Sequence, residues 1–204
     1  MPTMENETTL FLTNTPSNSY TLSLKEKVLY GIFKIVSPVV GAIANIIGGN
    51  SVAVRSYLAI GLLGYANNYS SKNVDLLSKQ AVLETGSFSS PMAINDSNIF
   101  GMHRSFVRPS CADGYRWNDS ESAEVSVYND EFRSVLDRIL WDKYNEISPT
   151  SPEYITEVVS DGYNPFDTYP AQWQNTTYKV PYMTFVLMLV PFALVLIFIY
   201  KLKK

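Results

Sequence analysis

Three stretches of the chain place apolar residues at the three- and four-residue spacings of a helix face. Val54, Leu58, Leu62 and Tyr65 form the first stripe, and Val74, Leu77 and Ala81 the second. Phe132, Val135, Leu136, Ile139 and Leu140 form the third. Asn129 or Asp130 is placed to cap that third helix, and Glu131 in its first turn complements the helix dipole. Between the second and third stripes, residues 85–128 are too polar for continuous helix. A connection of this length in a small domain is usually functional, and short strands fit within it. Ser148 to Pro152, with two prolines, precede a short segment from Tyr154 to Val159 and then an aromatic stretch, DGYNPFDTYPAQWQ. The expected fold is a mostly α domain over residues 51–178, with a long loop or small β region.

Two further segments are apolar nearly all round. Residues 28–47 have Lys34 as their only charge, and their length fits a bilayer crossing. Pro38 and the neighbouring glycines fit an interfacial helix or a packing arm as well, so residues 24–50 are read as an apolar arm or a membrane segment. From Met183 to Tyr200 eighteen residues carry no charge, and Lys201, Lys203 and Lys204 follow. That run matches the ~30 Å hydrocarbon thickness, with Tyr178, Tyr182 and Tyr200 at interfacial positions. Residues 179–204 are therefore expected to form a C-terminal transmembrane helix whose basic tail stays on the inner side. The domain then lies on the outer or periplasmic side, and it does so whether the chain crosses the membrane once or twice. Residues 1–23, rich in Thr, Asn, Ser and Pro, read as a flexible polar tail rather than a signal peptide.

Charge and cysteine content narrow the chemistry. A net charge of −3 gives no reason to expect nucleic acid as a partner. Cys111 is the only cysteine and His103 the only histidine, which removes an intrachain disulfide and the common zinc arrangements. No metal or cofactor is expected. Cys111 lacks a partner base and is set aside as a nucleophile.

The residue that carries candidate chemistry is Glu84. Val74, Leu77, Ala81 and Glu84 share one helix face, so a carboxylate ends an apolar stripe at a helix C-terminus. Desolvation and the negative end of the helix dipole both disfavour its ionised form. A carboxyl group still protonated near neutral pH is what a glycosidase needs to protonate a leaving oxygen. On the pattern alone, a solvated glutamate at a frayed helix end is the commoner case.

The surrounding residues add a resemblance. Ala81, Glu84, Thr85 and Gly86, followed by Asn98, Ile99, Phe100, Gly101 and Met102, resemble the glucosaminidase family of the lysozyme superfamily. The resemblance continues through Arg108-Pro109-Ser110, Val127-Tyr128, the Ser134-to-Trp141 helix and Gly162-Tyr163-Asn164-Pro165, in order, over about 85 residues. It implies a lysozyme-like fold and cleavage of N-acetylglucosamine-containing peptidoglycan strands. It also implies Glu84 as general acid and Tyr163 as a catalytic tyrosine that positions substrate or water. Asn98, Phe100 and Tyr128 would line the sugar cleft, and His103 is a further substrate-binding candidate. Asp96, Glu121 and Glu124 in the long loop are candidates for a second carboxylate, as is assistance by the substrate's acetamido group. The expected setting is a bacterial envelope or a phage membrane, with wall glycan and a lipid bilayer as partners. Ser97, where the family has asparagine, and the unassigned second carboxylate also admit a non-catalytic wall-binding or structural membrane protein. A pore-forming reading rests on the two apolar segments alone.

Overall fold

The computed structural model describes residues 19–164 and 166–178, so the apolar run 183–200 and the polar tail 1–18 lie outside the described residues. In chain order the elements are α1 (Leu24–Ile46), α2 (Ser51–Ala66), α3 (Ser71–Glu84) and α4 (Pro91–Asn95). They continue with β1 (Gly114–Asn118), β2 (Ala123–Val127), α5 (Glu131–Tyr144), α6 (Tyr154–Ser160) and α7 (Tyr169–Asn175). The architecture is mostly helical with one antiparallel hairpin, in which Arg116 faces Val125 and Asn118 faces Ala123.

Local chemistry sets the helix ends. Ser23 caps α1 in a reciprocal box with Glu26, Ser70 caps α3 and Asp130 caps α5, each accepting from a backbone N–H in the first turn. α3 stops at Glu84 because Gly86 turns the chain at φ +54°. Thr85 then locks the turn: its hydroxyl donates to the Ala81 carbonyl at 2.6 Å and accepts from Phe88 N–H at 2.8 Å.

Two helices are buried on more than one face. In α2, Val54, Leu58, Ala59, Ile60 and Leu63 are all buried, whereas Tyr65 points outward. In α5 the apolar stripe is joined inside by Ser134, Asp137, Arg138 and Asp142. Residues 24–46 share the core of residues 51–178 instead of standing apart from it. Phe33, Val36, Val40 and Ala44 are buried, Phe33 packs on Phe132 at 5.6 Å, and Tyr30 donates to Asp130 at 2.8 Å. α1 is the one described helix long and apolar enough to cross a membrane, but a third of that stretch is buried against the protein.

The region 85–128 holds α4, the hairpin and connecting loops. It is braced on Asp137, a buried carboxylate that accepts from both Arg108 guanidinium nitrogens, Cys111 N–H and the Tyr128 hydroxyl at 2.8–3.0 Å. A second buried carboxylate five residues further along α5, Asp142, takes donors from Arg138, Tyr69 and Tyr154. α7 closes the back of α3, with Trp173 fully buried and its indole N–H donating to the Leu76 carbonyl at 2.6 Å.

Candidate active site

A cleft of about 800 Å³ opens between the 100–108 loop, the hairpin turn, the C-terminal end of α5 and residues 162–164 and 166. Its lining brings together Glu84, Phe100, Gly101, His103, Glu121, Trp141 and Tyr163.

Glu84 stands on the cleft wall, partly buried. The Tyr169 hydroxyl donates to its Oε1. Its Oε2 lies against Gly101: a Cβ built there would meet it at 3.5 Å, and the φ of +62° at Gly101 disfavours any side chain. Burial raises the Glu84 carboxyl above the usual range. The Tyr169 hydrogen bond and the Arg138 charge pull against that shift, and the charge of Glu121 adds to it. The net direction is upward because removal from water acts on the whole carboxylate, whereas one hydroxyl donor serves a single oxygen.

Behind Glu84 runs a chain of buried polar groups that the apolar pattern does not reveal. Gln80, one turn earlier on α3, donates its amide N–H to the Tyr169 oxygen at 3.2 Å. Its carbonyl accepts from Arg138 Nε at 3.1 Å. Arg138 is fully buried, pairs with Asp142, and lies 4.9 Å from the Trp141 ring centre and 4.7 Å from that of Tyr163. Tyr169 thereby aims a donor at Glu84 while being held itself. Burial and the Glu84 charge push its phenol far up, so it stays a donor throughout the working range. Tyr169 was not singled out from sequence, although it lies in the same aromatic stretch six residues after Tyr163.

The remaining expected site residues separate into two groups. Tyr163 lines the cleft and stacks on Tyr169 at 6.4 Å; its hydroxyl donates to the Phe100 carbonyl, which fixes the cleft floor. Burial and the nearby Glu84 push its phenol well up, so it too remains protonated. His103 lines the cleft, half-exposed, with Nε2 2.5 Å from Glu121 Oε2. Phe100 borders the cleft, but its side chain is buried.

Asn98 and Tyr128, expected in the sugar cleft, sit in the core away from it. The Asn98 amide donates to the Met102 and Ser126 carbonyls, and its oxygen accepts from Met102 N–H, all at 2.9 Å. It pins the Phe100–Gly101 turn and the hairpin together. Tyr128 is spent on Asp137. Among the loop carboxylates, Asp96 is tied to Arg116 and Glu124 to Arg104, and neither lines the cleft. Glu121, on the hairpin turn, does line it; Asn118 donates to its other oxygen at 3.0 Å.

No family model and no curated protein matches the chain. Among solved structures it is similar to a chain of a type VI secretion system effector–immunity complex from Pseudomonas protegens. That match has 14% identity and a TM-score of 0.48, over 70% of this chain and 94% of the other. It is also similar to the catalytic domain of the autolysin Auto from Listeria monocytogenes. There the identity is 14% and the TM-score 0.37, over 77% of this chain and 85% of the other. At this identity neither likeness assigns chemistry to the cleft.

Proposed function

We propose that the protein is a membrane-anchored peptidoglycan hydrolase that cleaves glycosidic bonds of N-acetylglucosamine-containing wall glycan, with Glu84 as general acid. The observation that supports this most is the state of Glu84: a desolvated carboxyl group on the wall of an 800 Å³ cleft, raised toward its protonated form and fixed by a buried donor. Tyr169 occupies Oε1, so Oε2, beside Gly101, carries the proton that passes to the leaving glycosidic oxygen. Glu121 is the second carboxylate. It faces the same cleft from a solvated turn, in the place of the carboxyl group that supports the oxocarbenium-like transition state or activates water. Tyr163 shapes the floor through Phe100, and with Trp141 it offers aromatic edges for sugar packing. The uncharged run 183–200 with its basic end is the anchor, and the hydrolase faces the outer side of a bacterial or phage membrane.

The test uses the full chain in mild detergent on purified cell walls, with mass analysis of the released fragments. Wild type is expected to release glycan fragments with a new reducing end, and Glu84→Gln to release none above background. Equal release by both, or none by either across acidic to neutral pH, would sink the assignment.

A non-catalytic wall-binding role draws support from one observation: both Glu121 oxygens already have partners, His103 and Asn118. Binding of wall glycan without new reducing ends would favour that reading.

A further inference from the structure

α1 has two unlike sides. Its inner side is part of the core, so the helix cannot leave the protein to cross a bilayer without stripping Phe33, Val36, Val40 and Ala44 from their packing. Its outer side is apolar along the whole length. Leu24, Val28, Ile35, Val39 and Ile46 are 79, 57, 70, 52 and 83% exposed, values at which each presents most of its surface to solvent. Their spacings of four, seven, four and seven put them within an arc of about 60° on a helix, as one continuous ridge roughly 33 Å long. Single exposed apolar residues are ordinary, but an unbroken ridge marks a contact surface.

We propose that this ridge is a membrane-docking face, on which the protein lies against the lipid headgroup region with α1 parallel to the bilayer plane. Three observations select lipid as the occupant. Lys27 and Lys34 flank the ridge on one side and are exposed, the arrangement by which interfacial helices meet anionic headgroups; Asp130, 3.7 Å from Lys34, is the one acidic group paired at that edge. The described chain ends at Tyr178, which stacks on Tyr57 at 5.2 Å and shares a groove with Ala44 and Ile47 at the C-terminal end of α1. The uncharged run 183–200 follows five residues later in sequence, so the described residues end near one end of the ridge and lead toward the segment best suited to enter a bilayer. Finally, no α1 residue lines the cleft, so a docked α1 leaves Glu84 open to glycan. This face deepens the membrane setting proposed above and is independent of the hydrolase chemistry.

The test places a nitroxide label at Ile35→Cys in the full chain, reconstituted in vesicles of phosphatidylethanolamine with a minority of phosphatidylglycerol. The native Cys111 is buried and its thiol is pushed up by that burial, so labelling of wild type serves as the blank. A second label at Thr150→Cys, exposed on a loop outside α1, serves as the comparison. At position 35 relaxation by oxygen is expected to exceed relaxation by an aqueous nickel chelate, with a depth of ~5–10 Å below the phosphates. At position 150 the order reverses. Low access to both reagents at position 35 means that protein covers the ridge, and spin–spin broadening there means a second copy does; either overturns the docking face. A chain that floats with vesicles but shows a water-exposed label 35 overturns the face and leaves the anchor standing. Failure to float at all overturns both.

Discussion

The two carboxylates of the cleft are held in opposite ways. Glu84 ends a helix whose stripe of Val74, Leu77 and Ala81 is buried, and its contacts are a tyrosine hydroxyl and a glycine. Glu121 sits on a two-stranded hairpin turn, about a third exposed, against a histidine that is half-exposed itself. Behind Glu84 the support runs inward through Tyr169, Gln80 and Arg138 to Asp142, every step buried or nearly so. Behind Glu121 stand the exposed His103 and the Asn118 amide of its own hairpin. A group that must keep a proton needs low dielectric and a rigid aim, whereas a group that must keep a charge needs solvent and can tolerate motion. The difference suits the roles proposed for the two residues.

The first way to break that comparison is to remove the proton carrier. Glu84→Gln should lower the rate of wall cleavage by about 10⁴-fold, the upper range for a positioned general acid and equal to ~5.5 kcal/mol of barrier. Fragment release per unit time measures it; a loss under tenfold would move the acid role elsewhere. Next in size is the buried support. Arg138→Met strips Asp142 of its buried cationic partner and leaves the Gln80 carbonyl unmet, and it should destabilise the fold by about 3–5 kcal/mol in denaturant titration. A double change with Asp142→Leu should recover part of that loss, because no lone charge then remains buried. If the single variant is as stable as wild type, the inward chain is not what holds Glu84.

The solvated side should respond less. Glu121→Gln should slow cleavage by about 10²-fold while leaving the thermal midpoint within a degree or two, as expected for a surface residue whose partners are exposed. A loss as large as that of Glu84→Gln would erase the distinction between the two acids. Smaller again is Tyr169→Phe. The lost hydrogen bond, ~1.4 kcal/mol, should slow cleavage about tenfold. It should also shift the alkaline limb of the pH profile upward, because the bond favours ionised Glu84. A limb that stays in place would show that Tyr169 positions Glu84 without tuning it.

How far the sequence exposed all this depends on whether a residue's role follows from a pattern or from an encounter. The apolar stripes of α2, α3 and α5 were legible apart from Tyr65, and so was Glu84, because its place on the α3 face is a matter of spacing. α5 was only half legible. Its apolar stripe is real, but the stripe says nothing of Asp137, Arg138 and Asp142, which are buried charged groups of the same helix. They can be buried only because Arg108, Tyr128, Tyr69 and Tyr154, from distant parts of the chain, bring matching donors. Asn98 and Tyr128 failed as cleft residues for the same reason: polar side chains near a motif can serve the turn that presents it instead of the ligand. Glu121 shows the reverse, a loop charge indistinguishable in sequence from Glu124 until the hairpin register sends one into the cleft and pairs the other with Arg104.

The smallest effect is a gain. Burial gives Glu84 a higher pKa in the folded chain than in the unfolded one, so the folded state binds its proton more tightly. That contribution to stability is fully present below the ordinary carboxyl range, about pH 4, where both states are protonated. It is lost as pH rises through the raised folded value, because the folded protein must then hold a desolvated charge. Glutamine cannot ionise and can still accept from Tyr169. Glu84→Gln should therefore melt at the same temperature as wild type near pH 4 and above it at pH 7–8, by about 2–4 °C for each ~1 kcal/mol. Melting curves of the two proteins across that range, followed by circular dichroism, decide the matter. A variant that is less stable at every pH would mean that the Tyr169 bond to a carboxylate outweighs desolvation, and Glu84 would then not be a retained proton donor. A gain confined to neutral and alkaline pH would mean that the fold tolerates a strained acid where an amide would fit better, which is what a retained proton donor requires.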